Sequence, residues 1–117
     1  MNLETKIQRA IMIAISQAGH TVWRNETGNF WTGRVIHKDG NTTTLANAQM
    51  IPCGLTKGSA DLIGITNKGI FFAIEVKTPK GRTSKEQEQF IKHIKLQGGI
   101  AGVARSPQDA LDLLPRG

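Results

Sequence analysis

The run Ile70-Phe71-Phe72-Ala73-Ile74-Glu75-Val76-Lys77 constrains this chain more than any other segment. Aromatic and β-branched residues crowd it, so it reads as a strand, and its near-continuous apolarity places it inside a sheet covered on both faces. Side chains alternate along a strand. Ile70, Phe72, Ile74 and Val76 therefore share one face, while Phe71, Ala73, Glu75 and Lys77 share the other. An acid and a base thus project together at the end of a buried strand, where charge is costly unless paired or bound to metal. Upstream, Asp61–Ile65 reads as a second strand, joined to the first through Thr66-Asn67-Lys68-Gly69. Such a hairpin sets the start of one strand beside the end of the other, bringing Asp61 close to Glu75 and Lys77.

The flanking segments supply the rest of an α/β domain with a mixed sheet. Leu3–Ala18 carries the i, i+3, i+4, i+7 stripe of an amphipathic helix, with Asn2 as N-cap and Gly19 at its end. Glu4 borders its inward face. Thr21–Glu26 reads as a short strand. Phe30–His37 and Thr42–Leu45 flank Lys38-Asp39-Gly40-Asn41, and Asp-Gly between two such runs signals a hairpin. Ala46–Gly58, with Pro52, Gly54 and Gly58, is expected to be irregular. Thr78–Thr83 is a loop, and Thr83-Ser84-Lys85-Glu86 has the form of a capping box opening a helix to about Gln97. Ile100–Arg105 is a short buried strand, and Ser106-Pro107 opens a last helix. The expected order is α-β-β-β-β-β-α-β-α in a single domain, residues 1–117.

Composition narrows the functional classes. The 117 residues hold fifteen Lys and Arg against nine Asp and Glu, a net charge of +6, which favours a polyanionic partner. The single cysteine, Cys53, forms no intramolecular disulfide or cysteine-based zinc cluster and suits a reducing compartment. The longest strongly apolar run, Ala10–Ile15, falls far short of the ~20 residues that span a membrane. Glu4 near the amino terminus also speaks against a secretory signal. A membrane-surface protein would need a helix rich in Lys and Arg, and Leu3–Ala18 offers only Lys6 and Arg9.

Two carboxylates and a lysine at one sheet end suit metal-assisted phosphodiester hydrolysis. Hard oxygen ligands favour Mg²⁺ or Mn²⁺. A lysine beside them can orient or help deprotonate water, or stabilise charge on the pentavalent phosphorus. Glu-x-Lys alone is weak: it occurs both at Glu4-Thr5-Lys6 and at Glu75-Val76-Lys77. Only the second lies on an apolar strand with an Asp at the start of its neighbour. The bland alternative, a surface ion pair of little energetic weight, lacks that context.

With these motifs the chain resembles the PD-(D/E)xK nucleases, and more narrowly a stand-alone VRR-NUC domain. The resemblance runs from about Glu4 to Arg105. It rests on an acidic residue in the leading helix, Gly58-Ser59-Ala60-Asp61-Leu62-Ile63, Ile74-Glu75-Val76-Lys77, and Gln87 in the following helix. It implies a restriction-endonuclease-like mixed β-sheet flanked by helices. It also implies Asp61 and Glu75 as ligands for Mg²⁺ or Mn²⁺, with the Val76 carbonyl completing the shell, and Lys77 as the catalytic lysine. Glu4 would be a supporting acid able to reach the metal, and Gln87 would position water or metal. Ala60 replaces the proline that precedes the Asp in the family pattern, which removes no ligand.

Stand-alone members of this group resemble resolvases of four-way (Holliday) junctions, found in phage and bacteria, which implies the cytoplasm of a bacterial or infected cell. Resolution needs two symmetric cuts and each chain offers one site, so a C₂ homodimer is the simplest solution. The hairpin Phe30–Leu45, with Phe30 and Trp31, is the expected dimer contact. Lys57, Lys80, Arg82 and Lys85 are expected to meet DNA phosphates. Action on flaps, nicks or plain duplex remains open, as does a non-catalytic DNA-binding module. Against the module stands the intact set Asp61, Glu75 and Lys77. His20, His37 and His93 lack ligand spacing and read as structural or surface residues. Cys53 shows no catalytic partner, and Trp23 and Trp31 read as core or interface residues rather than base-stacking ones.

Overall fold

The computed structural model describes residues 1–26, 28–53, 55–56 and 58–116, with the backbone alone at 28–30 and 51–53. Three helices and six strands follow in the expected order: α1 (Leu3–Gln17), β1 (Thr21–Arg24), β2 (Gly28–Asp39), β3 (Thr42–Cys53), β4 (Leu62–Ile65), β5 (Phe71–Val76), α2 (Lys85–Leu96), β6 (Ile100–Ala104) and α3 (Pro107–Leu113). Four strands form one mixed sheet in the order β1-β4-β5-β6. The β1–β4 and β4–β5 pairs are antiparallel; β5 and β6 are parallel, joined by the α2 crossover. This is the nuclease-like α/β architecture, a mixed sheet between helices.

Alternation on β5 divides the core as the sequence requires. Phe72, Ile74 and Val76 pack with Leu62 against Ile11 and Ile15 of α1 and against Ala110 and Leu114 at the other end of the chain. Each fully buried Ile or Phe contributes about 1.5–3 kcal/mol relative to exposure. On the opposite face, Ala60, Ala73 and Ala101 receive Phe90, Ile91 and Ile94 of α2. These small residues let α2 lie close to the sheet. The predicted starts of α1 and α3 are present. Thr5 N–H donates to Asn2 Oδ1 (2.8 Å), and Asp109 N–H donates to Ser106 Oγ (3.1 Å) with Pro107 in the first turn.

Two expectations shift. The capping box of α2 is formed by Ser84 and Gln87, one residue later than Thr83 and Glu86. Both pairs satisfy the Ser/Thr-x-x-Glu/Gln pattern, and the path of the preceding loop decides between them. Residues 46–53, expected to be irregular, continue β3 instead. That segment holds Asn47 and Pro52, poor strand formers, so its extended state comes from pairing with β2 rather than from propensity. Proline is tolerated because each strand of a two-stranded ribbon keeps a free edge.

The resulting arm is two twelve-residue strands joined at Gly40-Asn41, with Asp39 opposite Thr42 and Gly40 at φ 55° as the tight turn demands. Register shifts between Thr32 and Arg34 and between Val35 and His37 mark bulges. The arm forms a sheet of its own, and the molecule is correspondingly long, 51 × 30 × 29 Å. Its radius of gyration is 16.8 Å, against about 13 Å for a compact chain of this length. Among the described residues, no helix is long and apolar enough to cross a membrane.

Candidate active site

The β4–β5 register pairs Leu62 with Ile74, so the next step outward sets Asp61 opposite Glu75. Asp61 turns its carboxylate onto the neighbouring backbone, where Oδ2 accepts the Val76 N–H at 2.9 Å. Glu75 lies on the α2 face of β5 and is only 2% exposed. Its side chain hydrogen-bonds to Asp61. Its Oε2 is buried without a hydrogen-bond partner. Lys77 continues the same face beyond the strand, and its N–H donates to the Ala104 carbonyl at 3.1 Å.

Burial, first, and then the hydrogen bond and negative charge of Asp61 push the Glu75 carboxyl from 4.5 up to about 9. Lys77 opposes that rise with its positive charge, and Glu4 adds to it with its negative charge. The pair Asp61–Glu75 therefore holds a proton where a cation could sit. An orphaned buried carboxylate oxygen, a second carboxylate beside it and hard oxygen chemistry fit a divalent ion of the Mg²⁺ or Mn²⁺ kind. Such ions keep several waters and need few protein ligands.

Among the described residues, no three His, Cys, Asp or Glu side chains gather as a ligand cluster. Glu4 is exposed at the first turn of α1, and its negative charge reaches Glu75. Gln87 spends its side-chain oxygen on the Ser84 N–H (2.8 Å) in the capping box, leaving its amide NH₂ for other partners. Val76 ends β5 with its N–H bound to Asp61. Lys80 and Arg82 are exposed on the loop after Lys77, and Lys85 is exposed at the start of α2. Lys57 lies outside the described residues, and so does the Cys53 side chain.

The backbone behind the acids is held by residues that no sequence motif marked. Asn25 Nδ2 donates to Ser59 Oγ (2.8 Å) and to the Ala60 carbonyl (2.9 Å), and Asn25 N–H donates to the Asp61 carbonyl (2.8 Å). Leu55 N–H in turn donates to Asn25 Oδ1 at 3.4 Å, at the root of the arm. Gly58 takes φ +84°, and a Cβ there would lie 2.7 Å from Glu86 Cβ, so the glycine of the Gly-x-x-Asp motif admits α2 against the loop. His20 is buried and structural: its Nδ1 accepts the Asn67 N–H at 3.0 Å, tying α1 to the β4–β5 turn. His37 and His93 are exposed. Trp23 and Trp31 are also largely exposed, so neither belongs to the core.

A mixed sheet between helices, with two acids and a lysine meeting at one sheet end, defines a nuclease-like α/β domain. The chain belongs to the VRR-NUC domain family, whose profile it matches over residues 3–108. A solved structure described as a VRR-NUC domain shares the fold at a TM-score of 0.58 and 15% identity, over 94% of this chain and 91% of that one. No curated protein matches the chain.

Proposed function

We propose that this nuclease domain is a metal-dependent, structure-selective DNA endonuclease that resolves four-way junctions as a homodimer. The observation that carries the reading is Glu75, buried beside Asp61 with one oxygen unpartnered and Lys77 two residues on, just past the strand. A carboxylate so placed weakens the fold unless a cation joins it. Asp61 and Glu75 would hold Mg²⁺ or Mn²⁺, with the Val76 carbonyl as a third oxygen and Glu4 adding negative potential. When bound, the ion supplies a Lewis acid for the phosphoryl oxygen and a water of lowered pKa.

The chain's own residues set the rest. Lys77, fixed through its backbone to Ala104, carries its positive charge to the edge of the acid pair. From there it orients the attacking water and stabilises charge growing on the phosphoryl group. The Gln87 amide donates to the same water. Lys57, Lys80, Arg82 and Lys85 contact flanking phosphates. Phosphate contacts carry no sequence information, so shape directs recognition more than sequence.

The arm supports the dimer. Trp31 pairs with Met50 and Val35 with Leu45, and Trp31, Thr43, Leu45 and Ala48 line a groove of about 520 Å³ on one face. Thr32, Arg34 and Gln49 lie on the other face, so the ribbon is amphipathic with its apolar side uncovered. An isolated two-stranded hairpin is at best marginally stable in water. A second copy related by a two-fold axis would cover the apolar side.

The deciding experiment is cleavage of an end-labelled four-way junction against a linear duplex of matching sequence, with Mg²⁺, Mn²⁺ or EDTA, and with Asp61→Ala as control. Paired symmetric nicks requiring metal and Asp61 are expected. Equal cutting of both substrates would remove the junction preference and leave a nuclease of flaps, nicks or duplex. Binding without any cutting would leave a DNA-binding module.

A further inference from the structure

Arg105, directly after β6, is a charged side chain spent on neutral backbone. Its Nη1 donates to the carbonyls of Thr78 and Gly81, both at 2.6 Å. These carbonyls belong to the first and last residues of the turn Thr78-Pro79-Lys80-Gly81, which is already closed by Gly81 N–H donating to the Thr78 carbonyl at 3.0 Å. The residue before it, Ala104, accepts the Lys77 N–H. Arg105 N–H is itself anchored on Asp109 Oδ2 of α3 at 2.9 Å. The dipeptide Ala104-Arg105 therefore grips both Lys77 and the turn that follows it.

The turn does not need an arginine to form. Pro79 presets the dihedral of the second position, and the Gly81–Thr78 bond completes it. What the guanidinium adds is orientation. Charge-assisted bonds to both ends of the turn fix it against the sheet end. Lys80, exposed at the tip, and Arg82 just beyond it then leave the body in a set direction beside Lys77. A long cationic side chain on a fixed base loses less freedom when it meets a phosphate than one on a mobile loop.

We infer that Arg105 is a positioning residue for the nucleic-acid substrate: it locks the Thr78–Gly81 turn so that Lys80 meets a phosphate flanking the one presented to Asp61, Glu75 and Lys77. The inference rests on the nuclease reading proposed above. It makes Arg105 act on DNA affinity through Lys80, not on the reacting atoms.

The test is a double-mutant cycle of Arg105→Gln and Lys80→Ala. Binding to a fluorescein-labelled four-way junction is measured in EDTA across a salt series, and kcat and KM are measured with Mn²⁺. Lys80→Ala alone is expected to lower the salt slope by about one. In the Arg105→Gln background the same change should alter affinity less than twofold. Arg105→Gln should raise KM severalfold and leave kcat within about threefold, a split that a general loss of structure does not produce. Pro79→Gly loosens the same turn by another route and should reproduce the effect. Additive losses in the cycle, or a fall in kcat at unchanged KM, overturn the inference. A thermal midpoint of Arg105→Gln below the assay temperature, together with an inert Pro79→Gly, also overturns it. Lys77→Ala separates the two levels. If it abolishes cutting while the cycle is additive, the nuclease stands and the inference falls. If neither wild type nor Lys77→Ala cuts while the cycle is non-additive, the positioning role stands and the nuclease reading falls.

Discussion

Glu75 is unfavourable to the fold by its burial, and the proposed function gives that burial a purpose. Its carboxyl is pushed from 4.5 to about 9, chiefly by burial, so the folded chain binds its proton more tightly than the unfolded chain does. The contribution of that proton to stability is full below pH 4.5 and is lost as pH climbs through 9. In EDTA, thermal stability should therefore decline across that window, and Glu75→Gln should flatten the decline and melt higher at pH 8. The same variant should cut DNA at least about a hundredfold more slowly. A variant that is active and no more stable than wild type would mean that the orphaned oxygen has no role. Gly58 is the complementary case. Gly58→Ala meets both an unfavourable φ and the Glu86 contact, so it should destabilise the chain by about 1–3 kcal/mol in denaturant titration. Because Gly58 leads into Asp61, cleavage should weaken with it.

At the scale of elements, legibility in the sequence followed the range of the forces. Helices α1 and α3 and the β4–β5 hairpin were readable because caps, turn residues and hydrophobic period act within a few positions. The α2 box slipped by one residue because two overlapping pairs satisfied the same local rule. Strand β3 was missed beyond Leu45 because its pairing with β2, across two bulges, leaves no periodic trace. At the candidate site, Glu75 and Lys77 were legible through alternation on an apolar strand, and Asp61 through the hairpin that pairs its segment with theirs. Asn25 and Arg105 were not, since each acts on backbone carbonyls of distant segments. The uncovered face of the arm yields a prediction at this level. Trp31→Asp with Val35→Asp should convert a dimer to a monomer in light scattering, while the thermal midpoint of the body moves little, because the arm forms its own sheet. A large drop in that midpoint would instead place the arm in the fold of the body.

The whole molecule is 51 Å long, with the candidate site at one sheet end and the arm in a sheet of its own. A junction has two strands to cut, and two-fold pairing converts one site per chain into two sites per complex. The net charge of +6 favours a polyanionic partner but does not say how many chains act together. Mixed dimers separate these levels. Wild-type chains assembled with an excess of tagged Asp61→Ala chains, then purified through the tag, carry at most one competent site per pair. On a four-way junction such pairs should give single nicks, each still requiring Mg²⁺ or Mn²⁺, and almost no linear duplex product in a single binding event. Wild-type dimers should give both cuts before release. If mixed pairs resolve junctions at half the wild-type rate with paired cuts intact, one chain makes both incisions in turn. The arm would then serve a purpose other than bringing a second active site to the junction.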